Sequence, residues 1–167
     1  MNQPTDKPAF GNRQRIDTLS GYESAIDAVI SAARRALRIF DRSLSAEYNS
    51  VKRHELLRAF LRANPENQLY LVLHDASSIT SRCPRLMMLL REFNGRVFIH
   101  ETNSDARHLY DPFAVADENH YAHRFHYDSL RGELAFDHVG DARILVQRFT
   151  EIWQSSIPAA SASTLGL

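Results

Sequence analysis

The sequence predicts an α/β domain: a mixed, mainly parallel sheet flanked by helices, with an added β-hairpin. Three observations predict it. Apolar runs of strand length alternate with stretches of helical periodicity between Ser20 and His100. Short polar connections join them, which favours right-handed crossovers and parallel pairing. The stretch Asp105 to Asp128 then breaks the alternation, with Pro112–Ala116 and a His-rich segment joined through Asp117, Glu118 and Asn119, as in a hairpin.

The elements follow in order. Residues 1–17 carry two prolines, a glycine and mixed polar residues, and are expected to form a flexible arm. Ser20-Gly21-Tyr22-Glu23 matches a capping box and opens a first helix running to about Arg35, with Ile26, Val29, Ile30 and Ala33 on one face. Ala36 to Asp41 reads as a strand. A second helix spans Val51 to Ala63, with Leu56, Leu57, Phe60 and Leu61 on one face, and Asn64-Pro65 stops it. Leu69 to His74 is a continuous apolar run, as expected of a strand covered on both faces.

Pro84 suits the first turn of a third helix, where its missing N–H is no loss, and Asn94-Gly95 ends that helix. Val97 to His100 is the next strand, the hairpin extends the sheet, and Glu133 to Asp137 adds a strand. A last helix, Val139 to Gln154, carries Ala142, Leu145, Val146, Phe149, Ile152 and Trp153 on one stripe. The domain is therefore placed at residues 18–154, with residues 155–167 as a Ser/Ala-rich tail.

Size and charge narrow the function classes. A chain of 167 residues, 44% hydrophobic, has the size of one domain with a substantial core. Its 20 basic and 20 acidic residues cancel, which argues against a broad electrostatic footprint for nucleic acid. One cysteine excludes an intrachain disulfide framework and fits a reducing compartment. No apolar run approaches the roughly 20 residues that span a bilayer. The opening residues lack the apolar stretch of a secretory signal. The expectation is a cytoplasmic protein without membrane contact.

Ligands of open α/β sheets bind beyond the carboxyl ends of the parallel strands. Three such ends fall at polar residues: Asp41-Arg42, His74-Asp75, and His100-Glu101 with Thr102. Arg107 and His108 follow in the next loop. Polar strand ends also arise simply because loops meet water. Cys83 lies before a helix between Arg82 and Arg85, a setting that favours thiolate; a small buried residue is the plainer reading. His120, His123 and His126 share a helical face only if that segment is a helix. As a strand, His123 points away from the other two, so no metal site and no cofactor is expected from this run. Arg124 either holds an anion or is a solvated strand residue.

The segment Tyr110-Asp111-Pro112-Phe113-Ala114-Val115-Ala116-Asp117 resembles the H-x-K-x-x-x-x-D motif of the phospholipase D superfamily. Asp117 stands at the motif aspartate, and Phe113 to Ala116 match its apolar segment. Tyr110 stands where the nucleophilic histidine would be, and Pro112 where the phosphate-binding lysine would be. The resemblance covers residues 20–154 by order of elements and implies a phospholipase D-like α-β-α sandwich. It also implies a homodimer, since single-repeat members pair across the motif face, and Tyr110, Phe113, Tyr121 and Phe125 suit such a face.

The departures imply a lost activity. Phosphodiester cleavage of that kind needs an imidazole nucleophile and a lysine on the phosphoryl oxygens. Proline supplies neither charge nor N–H, and a tyrosine phenol with its pKa near 10 is a poor nucleophile. A register shift brings in His108, but Tyr110 then occupies the lysine position. The leading expectation is a non-catalytic binding or assembly module, with an anionic or phosphate-containing ligand at Asp41, Arg42, Asp75, Glu101, Arg107, Tyr110 and Arg124. The alternative is a phosphoester hydrolase using His108, Asp117, His74 or His100, with Arg107 or Arg124 holding the anion. A nucleic-acid module resting on Arg82, Arg85 and Arg91 is the third reading.

Overall fold

The computed structural model describes residues 13–160. Eight strands form one sheet in the order β1-β7-β6-β5-β2-β3-β4-β8. They are β1 (Arg13–Ile16), β2 (Ala36–Asp41), β3 (Gln68–Leu73), β4 (Val97–Thr102), β5 (Phe113–Ala116), β6 (His120–Arg124), β7 (Gly132–Ala135) and β8 (Ser156–Ala160). The helices are α1 (Leu19–Ala32), α2 (Val51–Ala63), the short α3 (Ile79–Arg82), α4 (Pro84–Glu92) and α5 (Val139–Gln154).

The sheet is mixed, with a parallel core of β2, β3 and β4. Its balance is not mainly parallel, because every other pairing is antiparallel. The hairpin accounts for part of this, since β5 runs back along β2, the return of β7 beside β6 adds to it, and the chain ends account for the rest. Arg13–Ile16, read as part of a flexible arm, pairs with β7; Ser156–Ala160, read as tail, pairs with β4. Both are polar or exposed edge strands, whose pairing comes from backbone groups and leaves little apolar pattern. The rest of the expected arm and tail, residues 1–12 and 161–167, lies outside the described residues.

Side chains alternate across the sheet and build two core layers. Leu37, Ile39, Leu69, Leu71 and Ile99 face α1, α2 and α4. Phe40, Val72, Phe113, Val115 and Tyr121 face α5, which presents Leu145, Phe149 and Ile152. Helix α1 starts two residues earlier than the Ser20 box places it: Thr18 Oγ1 accepts from the Gly21 N–H at 2.9 Å and is the cap. A buried arginine joins α1 to α2. Arg53, 0% exposed, donates to Asp27 at 2.8 Å and to the Glu23 carboxylate at 2.9 Å, and lies over the Tyr48 ring. No helix among the described residues is long and apolar enough to cross a membrane.

Candidate functional site

The parallel strands give the sheet a carboxyl edge and an amino edge. The carboxyl edge gathers most of the strand-end residues named from sequence, together with the loops before β5 and after β6. Asp41 ends β2 and turns toward the α1 and α2 layer, where its carboxylate accepts the Arg42 N–H at 2.7 Å. Burial pushes its pKa up to about 7; Glu23 adds to the rise, while the Arg42 N–H, Arg124 and Arg53 oppose it. Asp75 is held below the usual carboxylate range, first by hydrogen bonds from Ser77 and then by Arg107 and Arg42. Glu101 accepts the Ala76 N–H at 2.8 Å and sits 4.0 Å from Arg107.

An aromatic group borders these charges. The Arg42 guanidinium lies 4.8 Å from the Tyr127 ring centre. Tyr110 packs 5.4 Å from Tyr127 and 5.5 Å from His126, centre to centre. The Tyr127 N–H donates to the Tyr110 carbonyl at 2.6 Å, which fixes the two loops together. Arg124 is a loop staple: Nε donates to the Ser129 carbonyl at 2.5 Å, and Nη2 to that of Tyr127. From sequence His126 is weighed only as part of a histidine run and Tyr127 is not a site residue, because only the return of β6 beside β5 brings them to Tyr110.

The histidines are largely committed elsewhere. His74 Nε2 lies 2.6 Å from the Leu109 carbonyl, and Nδ1 2.6 Å from Thr102 Oγ1. A carbonyl only accepts, so Nε2 carries the proton and Nδ1 takes the threonine hydrogen. His100 points to the α5 layer, stacks on Trp153 at 3.6 Å and bonds Ser156 at 2.9 Å. Burial lowers its pKa, and its partners are structural. His108 is exposed and lines a separate cleft of about 260 Å³ against the last turns of α5. His123 Nε2 donates to Asp111 at 2.9 Å, and Arg148 binds the other oxygen of that carboxylate. His120 accepts the Asp137 N–H, so the three histidines of the hairpin go to three different places. Among the described residues no group of three His, Cys, Asp or Glu side chains is placed to hold a metal.

Asp117 is not part of the carboxyl edge. It ends β5, which runs antiparallel to β2, so it lies where β2 begins. Its carboxylate accepts the N–H groups of Arg34, Arg35 and Ala36 at 3.0, 2.8 and 3.0 Å, and its φ is 56°. The motif aspartate is thus a clasp for the α1–β2 turn. Cys83 is buried, and that burial raises its thiol pKa against the pull of Arg82, which leaves no activated thiolate. Arg85 turns inward and donates to the Asn49 carbonyl at 3.0 Å, which takes it out of a surface patch with Arg82 and Arg91.

Solved structures share this fold. Nuc from Salmonella typhimurium, a phospholipase D family member, matches with a TM-score of 0.64 at 12% identity, over 90% of this chain and 99% of that one. NucT from Helicobacter pylori matches with a TM-score of 0.57 at 12% identity, over 89% of this chain and 99% of its own. TrmBL2, an archaeal chromatin protein with a novel mode of DNA binding, matches with a TM-score of 0.64 at 10% identity, over 89% of this chain. The chain spans 55% of TrmBL2. These likenesses establish the phospholipase D-like fold expected from Tyr110 to Asp117. No curated protein matches the sequence. A family model does match, over residues 18–165, and the chain belongs to that family, described as a domain of unknown function, DUF7931.

Proposed function

We propose that this domain keeps the phospholipase D scaffold without its chemistry and works as a non-catalytic binding or assembly module. One observation carries the reading. At the carboxyl edge, the positions matched to nucleophile and phosphate-holding lysine are Tyr110 and Pro112, while the retained Asp117 is spent on three backbone N–H groups at the other edge. The nearby imidazole of His74 has both nitrogens engaged, and His123 is tied to Asp111. Neither is positioned as a free nucleophile beside a lysine.

The same edge supports assembly as a homodimer. Of the face expected from sequence, Phe113 and Tyr121 are buried against α5 and drop out, while Tyr110 and Phe125, with Leu130 in the same set of loops, are 45%, 51% and 48% exposed, large apolar side chains that suit an interface. A reducing, cytoplasmic setting goes with this reading, since the one cysteine is buried and unpaired. The Arg42, Asp75, Glu101 and Arg107 cluster is the proposed ligand contact.

The deciding experiment is hydrolysis of bis-p-nitrophenyl phosphate by purified protein. No release of p-nitrophenol above buffer is expected. Release abolished by His108→Ala would overturn the reading in favour of a hydrolase with a non-standard site. The fold shared with TrmBL2 keeps a nucleic-acid module in view, and a salt-titrated gel shift without retardation at low ionic strength would remove it.

A further inference from the structure

We propose that the amino edge carries a second binding site, for a small phosphate-bearing anion, in a cleft lined by Arg34, Arg35, Arg38 and Arg143. The cleft holds about 500 Å³, and Asp117 and Glu118 also line it. That volume falls within the range of small-molecule sites, roughly 300–1,000 Å³.

The charges in it do not balance. The Arg34 guanidinium donates to the carbonyls of Ser31 and Ala33, at 3.0 and 2.9 Å, and makes no ion pair among the described residues. Arg38 is half-buried, reaches the Asp117 carbonyl at 3.4 Å and lies 5.9 Å from the Tyr70 ring centre. Arg35 is exposed, and its side chain has no hydrogen bond or ion pair among the described residues. Three guanidinium groups within five positions thus have no carboxylate ion-pair partner among the described residues. Asp117 forms no ion pair with them, its oxygens being bonded to backbone N–H groups, and with Glu118 it offsets two of the four arginine charges, which leaves the lining at a net +2. Only Arg143 is paired, to Glu118 at 3.2 Å, and both side chains are well exposed, so a phosphate competes easily for it.

Guanidinium forks match the oxygens of carboxylates and phosphates in pairs, which suits this arginine cluster to an oxyanion rather than a neutral ligand, and several arginines together favour the more highly charged phosphate. The cleft is short and bounded by acidic residues, and the chain has zero net charge. Both features favour a compact anion over a nucleic-acid backbone, which needs a continuous basic track.

The test is calorimetric titration of the full chain with sodium tripolyphosphate at low salt. Arg35→Gln should weaken binding ~10-fold, and so should Arg38→Gln, as expected for the loss of one charge-assisted contact. Arg91→Gln, a surface arginine on α4, should change nothing. The Arg35 side chain has no partner to lose among the described residues, so that variant is expected to keep the fold. No heat of binding at millimolar tripolyphosphate, or equal weakening by Arg91→Gln, overturns the proposal. So does an oligonucleotide that binds through Arg35 when tripolyphosphate does not. Phosphodiester hydrolysis is assayed separately, so a failure at either edge leaves the other reading standing.

Discussion

Asp117→Ala removes the acceptor of three N–H bonds at a φ of 56°, a region that aspartate adopts more readily than alanine. Bonds to a charged acceptor contribute about 1.5–3 kcal/mol, so a loss of ~2–3 kcal/mol in urea denaturation is expected. Asparagine tolerates that backbone and keeps one acceptor, so Asp117→Asn should lose clearly less. Equal losses would mean that the carboxylate clasp contributes little. Asp41 gives the residue-scale pH dependence. Its folded pKa of about 7 lies above the ordinary carboxylate value, so the folded state favours the protonated form. Its contribution is fully present below about pH 4 and is lost as pH rises through 7. Asp41→Asn should match the parent protein at pH 4 and exceed it at pH 8 by ~1–2 kcal/mol, the half-buried carboxylate being partly screened by water. Parallel stability curves for the two proteins would refute this.

At the scale of elements, Arg53 fastens α2 to α1 through Glu23, Asp27 and the Tyr48 ring. Arg53→Ala leaves Asp27 buried with only Lys52 at 3.3 Å, and a loss of about 3–5 kcal/mol is expected by chemical denaturation. A loss under ~1 kcal/mol would show that the network relaxes onto water. Such a junction is invisible in sequence, since Arg53 lies 26 positions from Asp27 and reads as one more polar residue of a helix. The elements themselves were legible where burial writes a period: α2 and α5 fall at the expected residues, and β2 does too. The edge strands β1 and β8 were not, because Arg13-Gln14-Arg15 and the Pro158-containing end have no apolar alternation to read. The strand-end residues Asp41, Arg42, Asp75 and Glu101 were legible as one edge, because parallel strands must end on the same side. Asp117 was not separable from them by sequence. Its motif runs along β5, and four strand residues advance about 13 Å, from one edge of the sheet to the other.

That span sets the behaviour of the whole molecule. The aromatic grouping of Tyr110 and Phe125 and the arginine cleft at Arg34 to Arg38 stand at opposite ends of the same short strands, with β2 and β5 packed rigidly between them. No shared side chain links them, and sites this far apart contribute independently, within about 0.5 kcal/mol. Phe125→Ser should therefore weaken self-association in sedimentation velocity and leave the tripolyphosphate affinity unchanged. Arg35→Gln should do the reverse, and the double variant should show the two effects added. A Phe125→Ser protein that lost its anion affinity while keeping its fold would mean that the sheet couples its edges. The dimer would then be part of the anion site.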